Sequence, residues 1–330
     1  MSRIAILGAG AWGTALALSL ANRGGHELCL WAHSPALAGQ LADAGENLHY
    51  LPGFTLPTGI HVTSDLPRAI FEADILLCVT PSQHLRGIIT NLAPLLTRDQ
   101  IILSASKGIE ETTFLRLSQV IASVTDNPFA VISGPSFAQE VAAGMPTALV
   151  VASASSQIAQ TIQRDFTSSS LRVYTNDDVP GVELGGALKN VIALAAGVAN
   201  GLNLGHNSSA ALITRGIAEI TRLAIACGGR RQTLAGLSGV GDLVLTCTGS
   251  LSRNRSVGIE LGRGRHLPDI IAGLNGKVAE GVRSTTAALG LAARYGVEMP
   301  IAEQMDAILH HHKSPKEAIR ELMSRPGRDE

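Results

Sequence analysis

The sequence has few of the features that mark nucleic-acid-binding, secreted or disordered proteins. Its 330 residues include 26 basic and 27 acidic side chains, so no polybasic excess favours nucleic acid or an anionic membrane surface. The four cysteines are spaced neither as zinc ligands nor as C-x-x-C pairs, which is typical of free thiols in a reducing compartment. The start of the chain has no signal-peptide h-region. We therefore expect a cytoplasmic, globular protein with no nucleic-acid partner.

Long apolar runs are also scarce. The one stretch long enough to cross a membrane, residues 182–204, contains Glu183, Lys189 and several glycines. A charged pair and glycines inside such a stretch favour a core helix over a lipid-embedded one. The sequence therefore predicts no membrane span.

The length of the chain predicts two domains at about 150 residues each. In the first half, short apolar runs alternate with helix-length segments, which is the pattern of an α/β domain whose parallel sheet is covered on both faces. The predicted strands are 4–7, 27–31, 74–79, 100–104, 130–133, 148–152 and 171–174. The predicted helices of this half are 14–23, 35–44, 82–92 and 155–166.

A turn signal at residues 176–178, followed by Pro180, marks the predicted domain boundary. Beyond it the apolar periodicity is helical throughout. The predicted helices are 182–200, 208–227, 233–245, 257–262, 285–295, 301–310 and 314–323. The sequence thus predicts an α/β domain over residues 1–178 and an all-helical domain for substrate and catalysis over residues 179–330.

A glycine-rich turn joins the first predicted strand to the first predicted helix. Gly8, Gly10 and Gly13 form the pattern G-x-G-x-x-G, with Ala11 and Trp12 inside it. The first glycine permits a tight turn, the second lets a pyrophosphate approach the backbone, and the third lets the helix pack close to the strand. We therefore expect residues 1–178 to be a doubly wound, Rossmann-type dinucleotide-binding domain; the alternative is a glycine-rich turn that binds nothing.

The choice of cofactor is normally set at the end of the second strand, where a carboxylate binds the ribose of NAD. Residues 30–34 contain no carboxylate, and His33 and Ser34 could donate to a 2′-phosphate. We therefore predict that NADPH is accepted, either alone or together with NADH. An ordinary loop histidine is the alternative for His33.

Lys189 is the one cation in a predicted helix of otherwise apolar or small residues. Gly186, Ala193 and Ala196 share its face and leave room for a ligand. Burial disfavours the ammonium form, so we expect a lysine poised as a general base near neutral pH. The alternative is a lysine whose stem crosses the core while its head reaches water.

A Ser252–Arg255 cluster follows the segment 236–243 and supplies charge-assisted donors of the kind that bind a phosphate monoester. Lys107 follows a predicted parallel strand at its carboxyl end, where such sheets place ligands. Solvated loop charges are the alternative for both. The run 310–312 of histidines places adjacent side chains on different sides of a helix, so no metal site is predicted.

Taken together, these segments resemble bacterial NAD(P)-dependent glycerol-3-phosphate dehydrogenase over nearly the whole chain. The segments that carry the resemblance are 8–13, 49–52, 106–108, 133–138, 183–190, 239–243, 252–255 and 280–281. The resemblance implies reversible hydride transfer between NAD(P)H and C2 of dihydroxyacetone phosphate. The product, sn-glycerol 3-phosphate, supplies the backbone of glycerophospholipids.

The resemblance also assigns roles to residues. Lys189 is implied as the proton donor and acceptor, and Lys107 as a lysine that contacts the substrate, while Asp242 is a plausible group to orient Lys189. Implied substrate contacts are Lys107, Gly134, Ser136, Lys189, Asp242, Ser252, Arg253 and Asn254. Implied cofactor contacts, besides the glycines, are Ala11, Trp12, His33, Tyr50, Lys107, Ala138, Arg253, Val278 and Glu280. Many members carry arginine where this chain has His33, and neutral histidine is a poorer phosphate partner.

Two other functions fit the sequence. Hydroxyacid and ketopantoate reductases also place a lysine on the first helix of a helical second domain, but they bind a carboxylate. A nicotinamide-sensing protein would bind the cofactor without turnover. Dimers are common in the resembled family, so a homodimer is an open expectation.

Overall fold

The computed structural model describes residues 1–274 and 279–326, and it divides into two compact units. The first comprises Met1–Glu110 and Leu115–Glu183, and the second comprises Glu111–Phe114 with the described residues from Leu184 onward. The sequence places the boundary after residue 178, whereas this division falls after Glu183. The apolar pattern of the sequence does not predict that residues 111–114 belong to the second unit.

The first unit is built on an eight-stranded sheet of order β10-β9-β8-β7-β6-β1-β2-β5, with β3 and β4 as a separate antiparallel pair. Strands β5, β2, β1, β6, β7 and β8 are mutually parallel, as expected. Strand β9 pairs antiparallel with β8 and parallel with β10, a reversal that the sequence did not predict. The strands are β1 Ser2–Leu7, β2 His26–Trp31, β3 Glu46–Asn47, β4 Leu51–Thr55, β5 Ile60–Thr63, β6 Ile75–Cys78, β7 Ile101–Ser104, β8 Phe129–Ser133, β9 Thr147–Ala152 and β10 Leu171–Asn176.

Helices cover both faces of this sheet, as the strand composition predicts. Along β1, Ile4 and Ile6 belong to one buried core, while Ala5 and Leu7 belong to another. Successive strand residues point to opposite faces, so these two cores lie on opposite sides of the sheet. The helices of this unit are α1 Ala11–Arg23, α2 Pro35–Ala44, α3 Leu66–Ile70, α4 Leu85–Leu92, α5 Leu117–Ala122, α6 Ala138–Ala142 and α7 Ser156–Phe166.

From α8 onward the described chain is helical, which confirms the predicted all-helical second part. One prediction there is wrong: residues 233–245 are not a single helix but two short helices joined by a π-helical turn, Leu237–Gly241. The helices are α8 Val179–Gly201, α9 Gly205–Ala226, α10 Arg231–Leu234, α11 Asp242–Thr248, α12 Arg253–Gly262, α13 Leu267–Ala272, α14 Glu280–Tyr295, α15 Pro300–His310 and α16 Pro315–Met323.

Helix α8 has the length and hydropathy of a membrane span, but 94% of its most apolar window is buried inside the protein. Among the described residues, α10 to α12 pass the same test only when counted as one bent pair. Burial on this scale is typical of the core helix of a globular domain.

Candidate active site

The three glycines of the glycine-rich loop in the first unit have different surroundings. Two are closely packed, and the third faces open space. Gly8 has φ +129°, and a Cβ atom there would lie 2.8 Å from the Val79 carbonyl oxygen. A Cβ atom on Gly13 would lie 1.8 Å from the Gly8 carbonyl oxygen, so the start of α1 packs directly on the turn. A Cβ atom on Gly10 meets nothing within 4 Å. The fold of the loop therefore requires glycine at positions 8 and 13, whereas the space beside Gly10 is open to a ligand.

The open position lies at the N-terminus of α1. Gly10 is the N-cap residue and supplies no side-chain hydrogen bond, so the first-turn N–H groups that follow it have no side-chain cap. Such N–H groups and the positive end of the helix dipole attract a phosphate. Ala11 and Trp12, both half-buried, form this first turn. The residues present therefore fit the pyrophosphate of a dinucleotide.

The end of β2 carries the predicted selectivity residues. His33 is exposed, and its ring meets the buried Trp31 ring edge-on at a centroid distance of 5.6 Å. Ser34 is the N-cap of α2, and its Oγ accepts a hydrogen bond from the Leu37 N–H at 3.4 Å. Since a hydroxyl can accept and donate at once, Ser34 retains its proton for a ligand. The end of β2 therefore presents the hydrogen-bond donors of His33 and Ser34 and no carboxylate.

Lys107, Gly134 and Ser136 lie together beyond the carboxyl ends of β7 and β8. The Lys107 Nζ donates to the Gly134 carbonyl oxygen at 3.1 Å, and the Ser136 Oγ donates to the same oxygen at 3.0 Å. Gly134 has φ +138°, and a Cβ atom there would lie 3.1 Å from the Ala148 carbonyl oxygen. Glycine is therefore favoured where these two strand ends bring a cation and a hydroxyl together.

The loop that carries Lys107 is held by residues that sequence reasoning missed. The Ser106 Oγ donates to the Thr80 carbonyl oxygen at 2.5 Å, and the Gln83 Nε2 donates to the Ile109 carbonyl oxygen at 2.8 Å. A Cβ atom on Gly108 would lie 2.3 Å from the Ser82 Oγ. The loop after β6 thus fixes the loop after β7. Ser82, Gln83 and Ser106 are polar loop residues, which are too common in sequences to be singled out.

In the second unit, Lys189 of α8 is buried, with 7% of its surface exposed. Its Nζ donates to the Asp242 carboxylate, which is fully buried, and to the Thr246 Oγ1 at 2.9 Å. Thr246 in turn donates to the Asp242 carbonyl oxygen at 2.6 Å. Sequence reasoning assigned no role to Thr246, one turn beyond Asp242 on α11.

The ion pair opposes the effect of burial on Lys189. Burial alone favours a neutral lysine, but a carboxylate in contact favours the ammonium. In this structure the Asp242 carboxylate therefore balances the charge of the Lys189 ammonium. Breaking such a pair is costly because a buried charge is left without its partner.

The π-helical turn at 237–241 places Asp242 beside Lys189. A Cβ atom on Gly185 of α8 would lie 2.4 Å from the Ser238 carbonyl oxygen, and one on Gly239 would lie 1.9 Å from the Leu234 carbonyl oxygen. These glycines let the turn lie directly on α8. Single π-helical turns occur frequently at functional sites.

Helix α12 begins with the predicted phosphate-binding residues. Ser252 is its N-cap, with its Oγ accepting from the Arg255 N–H at 3.2 Å. Arg253 is exposed, and among the described residues it has no hydrogen-bond or ion-pair partner. Asn254 is buried; its Nδ2 donates to the Asn190 Oδ1 at 3.0 Å and its Oδ1 accepts from the Gly281 N–H at 2.9 Å. The arrangement leaves one guanidinium free for an anion.

Close backbone contact fixes α12 against α8. A Cβ atom on Gly197 would lie 2.1 Å from the Arg255 carbonyl oxygen, and one on Gly258 would lie 2.0 Å from the Leu194 carbonyl oxygen. One turn further along each helix, Gly201 and Gly262 repeat the contact. Paired glycines four residues apart let helix backbones touch. The crossing therefore sets Arg253 and Asn254 at a fixed distance from the helix that carries Lys189.

The remaining predicted residues are placed as follows. Tyr50 is half-buried in the turn between β3 and β4, Ala138 begins α6, and Glu280 begins α14. Val278 lies outside the described residues. Burial raises the pKa of the Cys247 thiol, close to Lys189, to about 12, so this cysteine is an unreactive core residue. Within residues 1–274 and 279–326, no three His, Cys, Asp or Glu side chains are grouped to hold a metal ion.

A Rossmann-type loop open to a dinucleotide, with a buried lysine–aspartate pair in a helical second domain, defines a nicotinamide-dependent dehydrogenase. Residues 3–159 match the family model for the N-terminus of NAD-dependent glycerol-3-phosphate dehydrogenase, and residues 178–320 match the model for its C-terminus. The chain belongs to this family.

Individual relatives agree with the family models. The chain is 60% identical to glycerol-3-phosphate dehydrogenase [NAD(P)+] of Acidobacterium capsulatum, over 100% of both chains. It superposes on the crystal structure of glycerol-3-phosphate dehydrogenase from Coxiella burnetii with a TM-score of 0.95 and 41% identity, covering 98% of this chain and 99% of that one. A ketopantoate reductase from Ralstonia eutropha, 17% identical with a TM-score of 0.63 over 96% of this chain and 99% of that one, shares the fold alone.

Proposed function

We propose that this protein catalyses the reversible reduction of dihydroxyacetone phosphate to sn-glycerol 3-phosphate with NADPH or NADH. The observation that carries the proposal is the buried ion pair of Lys189 with Asp242, in a chain that belongs to the glycerol-3-phosphate dehydrogenase family. A general acid held in a water-poor site supplies what carbonyl reduction needs besides a hydride.

Residues 1–178 are the proposed cofactor domain. Its proposed contacts to the dinucleotide are Gly8, Gly10, Ala11, Trp12, Gly13, His33, Tyr50, Lys107 and Ala138; Arg253, Val278 and Glu280 are proposed from residues 179–330. The bound nicotinamide supplies or accepts the hydride. The exposed His33, beside the Ser34 hydroxyl, supports acceptance of the NADPH 2′-phosphate.

The substrate phosphate is assigned to Ser252, Arg253 and Asn254. The support is the unpaired Arg253 guanidinium at the start of α12, where the helix dipole adds to its charge. Lys107, Gly134 and Ser136 are assigned to the substrate oxygens. Lys107 and Ser136 both donate to the Gly134 carbonyl oxygen in this structure, and substrate oxygens are better acceptors for the lysine than a neutral carbonyl.

Lys189 is the proposed catalytic acid and base. In reduction, C2 gains a hydride, the C2–O π bond breaks, and the oxygen takes a proton from the Lys189 ammonium, which gives a secondary alcohol. In oxidation, neutral Lys189 takes the hydroxyl proton as the hydride leaves C2. Asp242 and Thr246 hold the lysine nitrogen in one position through both directions, and the Asp242 carboxylate stabilises the ammonium.

The cellular location and the assembly of the protein are proposed as well. We assign the protein to the cytoplasm because its cysteines, Cys29, Cys78, Cys227 and Cys247, are all free thiols. A homodimer is proposed on the resemblance alone. Light scattering after size-exclusion chromatography measures it, and a monomer mass contradicts it.

The direct test follows the absorbance of reduced nicotinamide in the presence of dihydroxyacetone phosphate. We expect consumption of NADPH, and of NADH, with inorganic phosphate as a competitive inhibitor. Turnover of 2-keto acids in place of the phosphate substrate would indicate a hydroxyacid or ketopantoate reductase. Cofactor binding without turnover would indicate a sensing protein.

A further inference from the structure

A single buried amide joins the glycine-rich loop to the turn that carries Tyr50. Asn47 of β3 is fully buried. Its Nδ2 donates to the Ala9 carbonyl oxygen at 2.9 Å and to the Thr14 Oγ1 at 2.8 Å. Its Oδ1 accepts from the Tyr50 backbone N–H at 3.1 Å. Three of the hydrogen bonds available to one amide are thus made to two separate segments.

The two loop contacts of Asn47 lie on either side of Gly10. Ala9 precedes this open glycine, and Thr14 begins the hydrogen-bonded part of α1, where its N–H donates to the Gly10 carbonyl oxygen at 3.0 Å. Gly10 has no side chain to cap the helix, and no Cβ there would meet neighbouring atoms. The conformation of the loop at its open point therefore depends on a side chain from outside the loop.

We propose that Asn47 is a positioning residue for the dinucleotide, which fixes the glycine-rich loop and Tyr50 in one arrangement before the cofactor binds. This inference rests on the proposed cofactor-binding role of residues 8–13. A loop fixed in advance loses less conformational freedom on binding, so affinity rises without a new contact. Because Asn47 acts on the pyrophosphate loop and not on residues 33 and 34, it supports NADH and NADPH equally.

Asn127 provides a matched control in the same unit. It is also a buried asparagine, and its Nδ2 donates to the carbonyl oxygens of Thr97 at 2.7 Å and Gln100 at 3.1 Å. It lies just before β8, at the amino ends of the parallel strands, whereas the glycine-rich loop follows the carboxyl end of β1. Loss of either amide removes a similar set of hydrogen bonds, but only Asn47 touches the loop.

The test measures the dissociation constants of NADPH and NADH and the thermal midpoint for the wild type, Asn47→Ala and Asn127→Ala. We expect Asn47→Ala to raise both dissociation constants by about tenfold or more and by the same factor, because a loop that is no longer held in place must be ordered when either cofactor binds. The KM for dihydroxyacetone phosphate at saturating cofactor stays unchanged. Asn127→Ala lowers the thermal midpoint and leaves both dissociation constants unchanged.

Each of the following outcomes overturns the inference. If a folded Asn47→Ala variant binds the cofactors with wild-type affinity, Asn47 does not position the loop. If Asn127→Ala loses affinity by the same factor, the effect of Asn47→Ala reflects a general loss of stability. A wild type that binds neither cofactor removes the proposed function as well. If Asn47→Ala does not fold, Thr14→Val, which removes one acceptor at constant volume, is expected to weaken both cofactors by a smaller equal factor, and unchanged affinity then overturns the inference.

Discussion

The two units present their candidate functional groups in different ways. In the first unit the glycine-rich loop presents backbone, and its geometry is set by what a Cβ atom on Gly8 or Gly13 would strike. In the second unit the site is made of charged side chains, with Lys189 and Asp242 buried against each other on α8 and α11. Backbone geometry can be recognised from a local motif, whereas a buried ion pair joins residues far apart in the sequence. The glycine-rich loop is therefore expected to respond to added volume, and the Lys189–Asp242 pair to the loss of a charge.

The largest expected effect is that of removing the charge at the centre of the second unit. Lys189→Ala should lower kcat by about 10²- to 10⁴-fold, the usual contribution of a general acid. The dissociation constants of both cofactors should be unchanged, because the glycine-rich loop is intact. Single-turnover rates and fluorescence titration measure the two quantities. A Lys189→Ala variant with weaker cofactor binding and a normal rate would contradict the assignment of Lys189 to catalysis.

A second charge effect concerns stability. Glu219 of α9 is buried; its Oε1 accepts from the Ile301 N–H at 2.8 Å, and its Oε2 has no partner among the described residues. Burial raises the pKa of this carboxyl to about 7. The folded protein therefore holds the proton more tightly than the unfolded chain. The stabilisation is complete below the ordinary carboxyl pKa near 4.5 and is lost as pH rises towards 7.

Glu219→Gln should remove this pH dependence, which amounts to about 3 kcal/mol at about 1.36 kcal/mol per pKa unit. The amide keeps an acceptor for the Ile301 N–H and cannot ionise. Urea unfolding at about pH 5 and about pH 8 measures the difference, and the variant should gain relative stability at the higher pH. Parallel curves for the two proteins would show that Glu219 does not control it.

The next effect tests the free guanidinium of the second unit. Arg253→Ala should raise the KM for dihydroxyacetone phosphate by about tenfold to a hundredfold, because a charge-assisted hydrogen bond contributes about 1.5 to 3 kcal/mol. Arg263, which pairs with Glu260 at 2.8 Å on the exposed end of α12, provides a control, and Arg263→Ala should leave the KM unchanged. An unchanged KM in Arg253→Ala would contradict the phosphate assignment.

Substitutions that add a methyl group test the glycine-rich loop of the first unit. Gly13→Ala places a methyl group 1.8 Å from the Gly8 carbonyl oxygen and should destabilise the fold by about 1 to 3 kcal/mol, as overpacking does. Gly10→Ala meets no neighbour and should fold normally while weakening both cofactors. Thermal unfolding and cofactor titration separate the two. Normal cofactor affinity in Gly10→Ala would show that the open position does not face the dinucleotide.

The smallest effect is one of selectivity. His33→Asp should shift the ratio of NADPH to NADH affinity towards NADH by about tenfold, or about 1.4 kcal/mol. The carboxylate repels a 2′-phosphate and accepts hydrogen bonds from ribose hydroxyls. Competition between the two cofactors in one assay measures the ratio. An unchanged ratio would place the selectivity elsewhere.

Much of the fold could be predicted from the sequence because its long elements have clear periodicity. Strand β1 and helices α1 and α8 are continuous apolar segments bounded by glycine or polar residues. Strands β3, β4 and β5 were missed because each is short and none is a continuous apolar run. The break of 233–245 was missed because Gly236 alone does not specify a π-helical turn. The turn depends on Gly185 of another helix, which lets Ser238 approach.

The candidate site residues also fall into those that a local pattern predicts and those that depend on distant contacts. The glycine pattern at residues 8–13 identifies its own chemistry, since each glycine has a local reason. Asn47 and Thr246 gave no signal, because a polar residue acquires meaning only from what it contacts. The burial of Lys189 can be inferred from its apolar neighbours, but its hydrogen bond to the Asp242 carboxylate joins residues 53 positions apart, and the apolar pattern does not show it.

The central claim is that the amine at position 189 delivers the proton that carbonyl reduction needs. Chemical rescue of Lys189→Ala by added alkylamines tests it most directly. We predict that small primary ammonium ions restore turnover of dihydroxyacetone phosphate in proportion to their concentration, with the greatest rescue by those small enough to lie beside Asp242. A slow variant that no amine accelerates, whatever its size, would contradict the assignment.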